Sequence, residues 1–133
     1  MSLALRDGQP IGGDDVTAQK AVVEKYTDGF RKGDLAQIVS CLTDDVVWAF
    51  HGAKTLVGKD AFAAEADSVD GPIPELTLDR MVEEGDTVAV IGHGSGSMGG
   101  DLVDFVYSEV FTFTDGLVSR LDTFHIWLGA VPA

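Results

Sequence analysis

Four consecutive segments rich in Val, Thr and aromatic residues, 75–83, 87–98, 101–113 and 117–128, are separated only by Glu84-Gly85-Asp86, Gly99-Gly100 and Thr114-Asp115-Gly116. Connections this short cannot carry a crossover, so these strands must run antiparallel as a meander. Ahead of them lie three helical patterns. Asp14 or Asp15 caps the first, with Val16, Val22, Val23, Tyr26 and Phe30 at helical spacing, Arg31 and Lys32 near its negative end, and Gly33 as its stop. Asp34 caps a second, with Leu35, Ile38 and Leu42 on one face and Thr43-Asp44-Asp45 ending it. Residues 46–51 read as a strand and 55–57 as a short extended piece. Asp60 caps a third helix with the stripe Phe62, Ala66 and Val69, broken by Gly71-Pro72 and Pro74. Residues 1–13 are expected to form a loose arm and 14–133 a single domain. Helices followed by an antiparallel sheet give an α+β fold with segregated layers.

Period-two alternation says which face looks inward. In 101–113 the odd positions Val103, Phe105, Tyr107, Glu109, Phe111 and Phe113 hold the aromatic bulk and should face the helices. In 117–128 the odd set is Leu117, Ser119, Leu121, Thr123, His125 and Trp127. The even set carries Arg120 and Asp122, but Phe124, Ile126 and Leu128 leave that outer face apolar, which suits burial against a second subunit. Odd facing odd requires a three-residue loop, 114–116, with Gly116 at its left-handed bulge position; a two-residue Asp115-Gly116 turn would break the match. Such a loop sets His125 opposite Phe105, four positions from Glu109, on the order of 13 Å along the strands. A two-residue Gly99-Gly100 turn puts Val88 opposite Phe111, Val90 opposite Glu109, Gly92 opposite Tyr107 and Gly94 opposite Phe105. Two glycines facing two aromatics leave side-chain volume missing. Either the rings cover bare backbone where the sheet curves, or the space belongs to a ligand. Gly92-His93-Gly94-Ser95-Gly96 lies inside a strand rather than at a helix start, so it is not a phosphate loop.

Composition narrows the function classes. The 133 residues are 45% hydrophobic, enough for a packed core without staples. Nine Lys and Arg against 22 Asp and Glu leave a net charge of −13. Such a surface repels phosphate backbones and anionic lipid, which argues against nucleic-acid and membrane partners. No apolar run approaches the roughly 18 residues of a membrane span, and the start Met1-Ser2-Leu3-Ala4-Leu5-Arg6 does not read as a signal peptide. Cys41 is the only cysteine, consistent with a cytoplasmic location, and its apolar helical context reads as an inert buried thiol. Three histidines on separate strands, without clustered carboxylates, give no metal site, and no motif calls for a nucleotide, flavin or haem.

Ala21-Val22-Val23-Glu24-Lys25-Tyr26, Gly33-Asp34-Leu35, Leu42-Thr43-Asp44-Asp45-Val46 and Gly58-Lys59-Asp60-Ala61 together resemble the nuclear transport factor two-like superfamily. Glu109-Val110-Phe111-Thr112-Phe113, Asp115-Gly116 and the strand after them fit its closing hairpin. SnoaL-like polyketide cyclases, ketosteroid isomerases and limonene epoxide hydrolases belong to that superfamily. The resemblance spans about residues 15–128. It implies a cone in which a strongly curved, mainly antiparallel sheet wraps three N-terminal helices around an apolar pocket, commonly in homodimers. Ketosteroid isomerases set a tyrosine of the first helix beside a buried acid as an oxyanion hole, with a separate aspartate as base. Tyr26 and Glu109 fall at the first two positions, and Phe50 stands where the base would be. The cyclases and epoxide hydrolases use an aspartate on the last strand as acid or base. His125 falls there, and an imidazole can do the same proton work.

The candidate catalytic residues are therefore His125, Glu109 and Tyr26. Burial among Tyr107, Phe111 and Phe113 should raise the pKa of Glu109 and make it a hydrogen-bond donor to a developing oxyanion. Equally, the carboxyl could merely satisfy the Tyr26 hydroxyl or a backbone group. Trp48, Phe50, Phe62, Tyr107 and Trp127 would line the pocket, as core packing alone would also require. Val90, Phe105, Phe111, Leu121 and Thr123 complete the expected lining. His93 should point outward, and His51 ends the first strand near the expected entrance. The expected activity is cofactor-free isomerisation, cyclisation, dehydration or hydrolysis of a hydrophobic oxygenated molecule. A non-catalytic carrier of an apolar ligand, or a dimeric assembly module, are the alternatives.

Overall fold

In the computed structural model, which describes residues 17–68, 72–98 and 100–129, helix α1 (Ala18–Lys32) begins after Thr17. The Thr17 hydroxyl accepts from Lys20 N at 3.1 Å, and the backbone N–H of Gly33, in the left-handed region at φ 70°, closes the helix. Thr17 thus caps α1; the caps expected at Asp14 or Asp15, the arm over 1–13, Val69 and Gly71 lie outside the described residues. Asp34 caps α2 (Leu35–Val39) through Gln37 N at 3.0 Å, as its spacing predicts. The α1 and α2 backbones meet closely at Gly29, where a β-carbon would sit 2.6 Å from Ile38.

The second helix is shorter than its apolar spacing suggests. Strand β1 (Leu42–Phe50) starts at Leu42, so Thr43, Asp44 and Asp45 belong to a strand rather than to a helix end, and His51 lies just past it. Cys41 N–H to Ile38 O ends α2, and the Cys41 carbonyl then accepts from Val118 N at 2.8 Å, which pulls the chain into the sheet. A local apolar spacing cannot foresee that long-range bond. After β2 (Lys54–Val57) comes α3 (Lys59–Asp67), whose N-cap is Gly58; Asp60 lies inside the first turn, where its charge favours the helix dipole.

Strands β3 (Thr77–Glu84), β4 (Thr87–Met98), β5 (Asp101–Thr114) and β6 (Leu117–Trp127) form the meander, and the full order is β2-β1-β6-β5-β4-β3. All neighbouring pairs are antiparallel except β1 with β6, which run parallel. The curved sheet is open, and the helices close one face. Val23, Tyr26, Ile38, Phe62, Phe111 and Leu121 meet there in one apolar core.

Between β4 and β5 the register is the one expected: Val88 faces Phe111, Val90 faces Glu109, Gly92 faces Tyr107 and Gly94 faces Phe105. The vacated volume is filled by the rings themselves. A β-carbon at Gly92 would collide with the Tyr107 ring and the Thr77 carbonyl, and one at Gly94 would lie 2.8 Å from Phe105. Tyr107 and Phe105 therefore cover glycine backbone, and these glycines open no ligand space.

Between β5 and β6 the expected loop is corrected. Thr114 pairs with Leu117 across a two-residue turn, Asp115-Gly116, with positive φ at both positions (52° and 84°), as a type I′ turn requires. The parity is restored further on, because Phe113 pairs with Val118 but Thr112 pairs with Arg120, leaving Ser119 as an extra bulge residue. Val118 rather than Leu117 is consequently buried at the turn end, while Leu121 and Thr123 face inward as alternation predicts.

Candidate active site

The two-residue turn and the bulge, one position each, together move every pair beyond them by two positions from the sequence expectation. Thr123 lies opposite Glu109, His125 opposite Tyr107, and Trp127 opposite Phe105. His125 is therefore not opposite Phe105, and it stands one diagonal step from Glu109, about 7 Å along the strands rather than twice that. Phe50 of β1 lies beside Thr123 on the other flank, and Trp48 beside Leu121.

These pairings assemble a polar chain inside the apolar core. The Trp48 indole N–H donates to the Thr123 hydroxyl at 2.9 Å, and that hydroxyl donates to Glu109 Oε2 at 3.0 Å. All three side chains are buried. Burial pushes the Glu109 pKa up to about 7, while the Thr123 hydrogen bond, which favours the charged form, restrains the rise. Thr123 is thus a partner of the acid, a role its residue type and inward position alone did not disclose.

Tyr26 reaches the same interior from α1. Its ring meets Phe111 and Phe30 edge-on at 5.2 Å and Phe62 at 6.1 Å. Burial raises its pKa well above the ordinary range, and the Glu109 charge raises it further. Its hydroxyl nevertheless has no hydrogen-bond partner among the described residues, so it does not satisfy the Glu109 carboxyl. His125 is half-buried within an aromatic cage: its ring lies 4.4 Å from Phe105, stacks on Trp127 at 4.8 Å, and lies parallel to Phe50 at 6.3 Å. Burial lowers its pKa, and its Nε2 has no partner. Among the described residues, Tyr26 Oη and His125 Nε2 are the buried side-chain polar atoms left unpaired.

The other residues expected to line a pocket divide by burial. Phe62, Val90, Phe111 and Leu121 are sealed in the core, with Trp48 stacked on Phe62 at 4.3 Å. Phe50, His125 and Trp127 are only partly covered. Tyr107 donates a long hydrogen bond to Thr77 O at 3.3 Å while covering Gly92.

The other two histidines are on the opposite side of the sheet. His93 pairs with Asp79 at 2.6 Å, as its outward position predicts. His51 does not join the inner site; it pairs with Asp122 at 2.9 Å and stacks on Phe124 at 4.4 Å. Among the described residues no group of three His, Cys, Asp or Glu is arranged to hold a metal ion. Cys41 is buried near α1 and α2 rather than within a helix, and burial raises its pKa, which fits an unreactive thiol. No described helix is long and apolar enough to cross a membrane.

Solved structures share this fold. It is similar to an LEH-like epoxide hydrolase of M. tuberculosis, at 20% identity, covering 84% of each chain, with a TM-score of 0.73. It is similar to a protein from Kribbella flavida DSM 17836 described as a candidate ketosteroid isomerase, at 22% identity, covering 87% of this chain and 82% of that one, with a TM-score of 0.68. TerC co-crystallised with polyporic acid matches at 24% identity, covering 81% and 91%, with a TM-score of 0.69. Several other matching structures are NTF2-like proteins of unknown function. No curated protein sequence matches the chain. Residues 23–121 match the family described as the SnoaL-like domain, which covers most of the sequence. The cone-shaped fold and that match agree: the chain belongs to the SnoaL-like domain family.

Proposed function

We propose that the protein is a cofactor-free acid/base enzyme acting on a hydrophobic, oxygenated small molecule bound inside the cone. The observation that carries this reading is the pair of unpaired buried atoms, Tyr26 Oη and His125 Nε2, in an interior that also holds the buried acid Glu109. Unmet donors and acceptors cost free energy in the core, and a ligand that satisfies them recovers it. Neutral Glu109 and the Tyr26 hydroxyl donate to a ligand carbonyl oxygen. His125, kept neutral by burial, takes a proton from the adjacent carbon. The resulting enolate oxygen is held by the two donors, and His125 returns the same proton to another carbon, which completes an isomerisation. Cyclisation, dehydration or hydrolysis would use the same groups. Phe50 cannot carry a proton, which leaves that work to His125.

The likeness to an epoxide hydrolase and to TerC with polyporic acid supports a small organic ligand. A thermal-shift screen against hydrophobic ketones, phenols and epoxides finds it: a ligand at a hundred times its Kd adds about 2.7 kcal/mol. With a substrate in hand, His125→Ala should lower kcat by roughly a hundredfold or more. Unchanged turnover would overturn the assignment. A ligand bound without any turnover would favour the carrier reading, for which Phe50 at the usual base position argues.

The exposed Ile91, Phe124 and Ile126 on the outer face support a homodimer through that face.

A further inference from the structure

The Trp48–Thr123–Glu109 chain has a direction. An indole N–H can only donate, so the Thr123 oxygen must accept from it. The single Thr123 hydrogen then has one acceptor among the described residues, Glu109 Oε2. When Glu109 is neutral, a hydrogen on Oε2 would compete with that donor for the same line. Oε1, which has no hydrogen-bond partner among the described residues, is where the hydrogen belongs. We propose that Thr123, oriented by Trp48, is a positioning residue that keeps the hydrogen of neutral Glu109 on Oε1, so that the site selects ligands arriving with an acceptor oxygen, such as an aryl ketone or quinone. The selection rests on the reading of Glu109 as a ligand-facing acid; the hydrogen's position does not.

The groups around Glu109 leave this bond as its principal polar constraint. Tyr26 from α1 and Tyr107 from β5 are close enough to sense its charge, Arg31 at the end of α1 acts on Tyr107, and His125 follows on β6. Helix α3 offers Phe62 and Ala66, β4 offers Val88 and Val90, and β1 offers Trp48, none of which titrates.

Infrared difference spectra near pH 5.5 test the hydrogen's position without a ligand. The Glu109 carbonyl stretch is the band lost in Glu109→Gln. In Thr123→Val that band should move to higher wavenumber, because its carbonyl oxygen loses a donor, and the titration midpoint should rise by roughly one unit. Thr123→Ser should restore both. An unmoved band and midpoint in folded Thr123→Val would overturn the proposal. Trp48→Phe gives an independent reading, since a Thr123 hydroxyl freed from the indole can reverse the bond and should split the band; a single unshifted band there also counts against it. For selection, the probes are 1-tetralone, an acceptor only, and 1-naphthol, which also donates. Binding of 1-tetralone should weaken roughly thirty-fold between about pH 5.5 and 8.5 as Glu109 ionises, with 1-naphthol little affected. If neither binds, the ligand-facing reading and the selection fail together, while the infrared result still decides where the hydrogen sits.

Discussion

Glu109 and His125 pull stability in opposite directions as pH changes. The Glu109 pKa rises from an ordinary 4.5 to about 7 on folding, so between those values the folded state holds the extra proton. Stability therefore falls as pH rises through that window, by about 3 kcal/mol in all, and is level above it. The His125 pKa is lowered by burial, so the unfolded chain binds the extra proton and stability is lost as pH falls below 6.5. Glu109→Gln keeps an acceptor for Thr123 and removes the first slope. Urea titrations at several pH values should show the variant gaining on the wild type from pH 4.5 to 7. A slope that survives the substitution would mean that another group is responsible. That both residues face inward is legible from alternation alone. That Thr123 and Trp48 hold the acid is not, because it depends on which strands lie side by side and in what register.

The hairpin of β5 and β6 shows how an element can satisfy two conflicting local rules. Asp115-Gly116 is a strong type I′ signal, yet a two-residue turn puts odd positions opposite even ones. The chain keeps the turn and inserts Ser119 as a bulge, whose hydroxyl donates to Thr112 O at 3.2 Å and accepts from Thr114 at 2.9 Å. Both inner faces are thereby preserved, at a register two positions from that of a three-residue loop. Gly116 at φ 84° is the position that a β-branched side chain tolerates poorly. Gly116→Val should cost about 1–2 kcal/mol, read as a lower urea midpoint with an unchanged m-value. No loss would mean that the turn relaxes to another type. The same logic explains why the β4–β5 register is readable from its two-residue turn: no bulge intervenes.

At the scale of the molecule, one sheet face is closed by the helices and the other leaves Ile91, Phe124 and Ile126 exposed. If that face joins two copies, sedimentation should give twice the 14.1 kDa chain mass, and Ile126→Glu should return the monomer. A monomeric wild type would remove the dimer from the proposed function. The segregated α+β layout, the inward positions of Glu109 and Thr123 and the outward position of His93 all follow from patterns within single segments. Those patterns are local, since a side chain's face depends on its own strand's pleat. The early start of β1, the bulge at Ser119 and the outward pairing of His51 with Asp122 come from contacts between segments distant in sequence. A hydrogen bond such as Val118 N–H to Cys41 O leaves no mark in the spacing of either segment, yet it redirects the chain. Register across strands, and with it the diagonal placing of His125 beside Glu109, is settled only when the strands pack together against the helices.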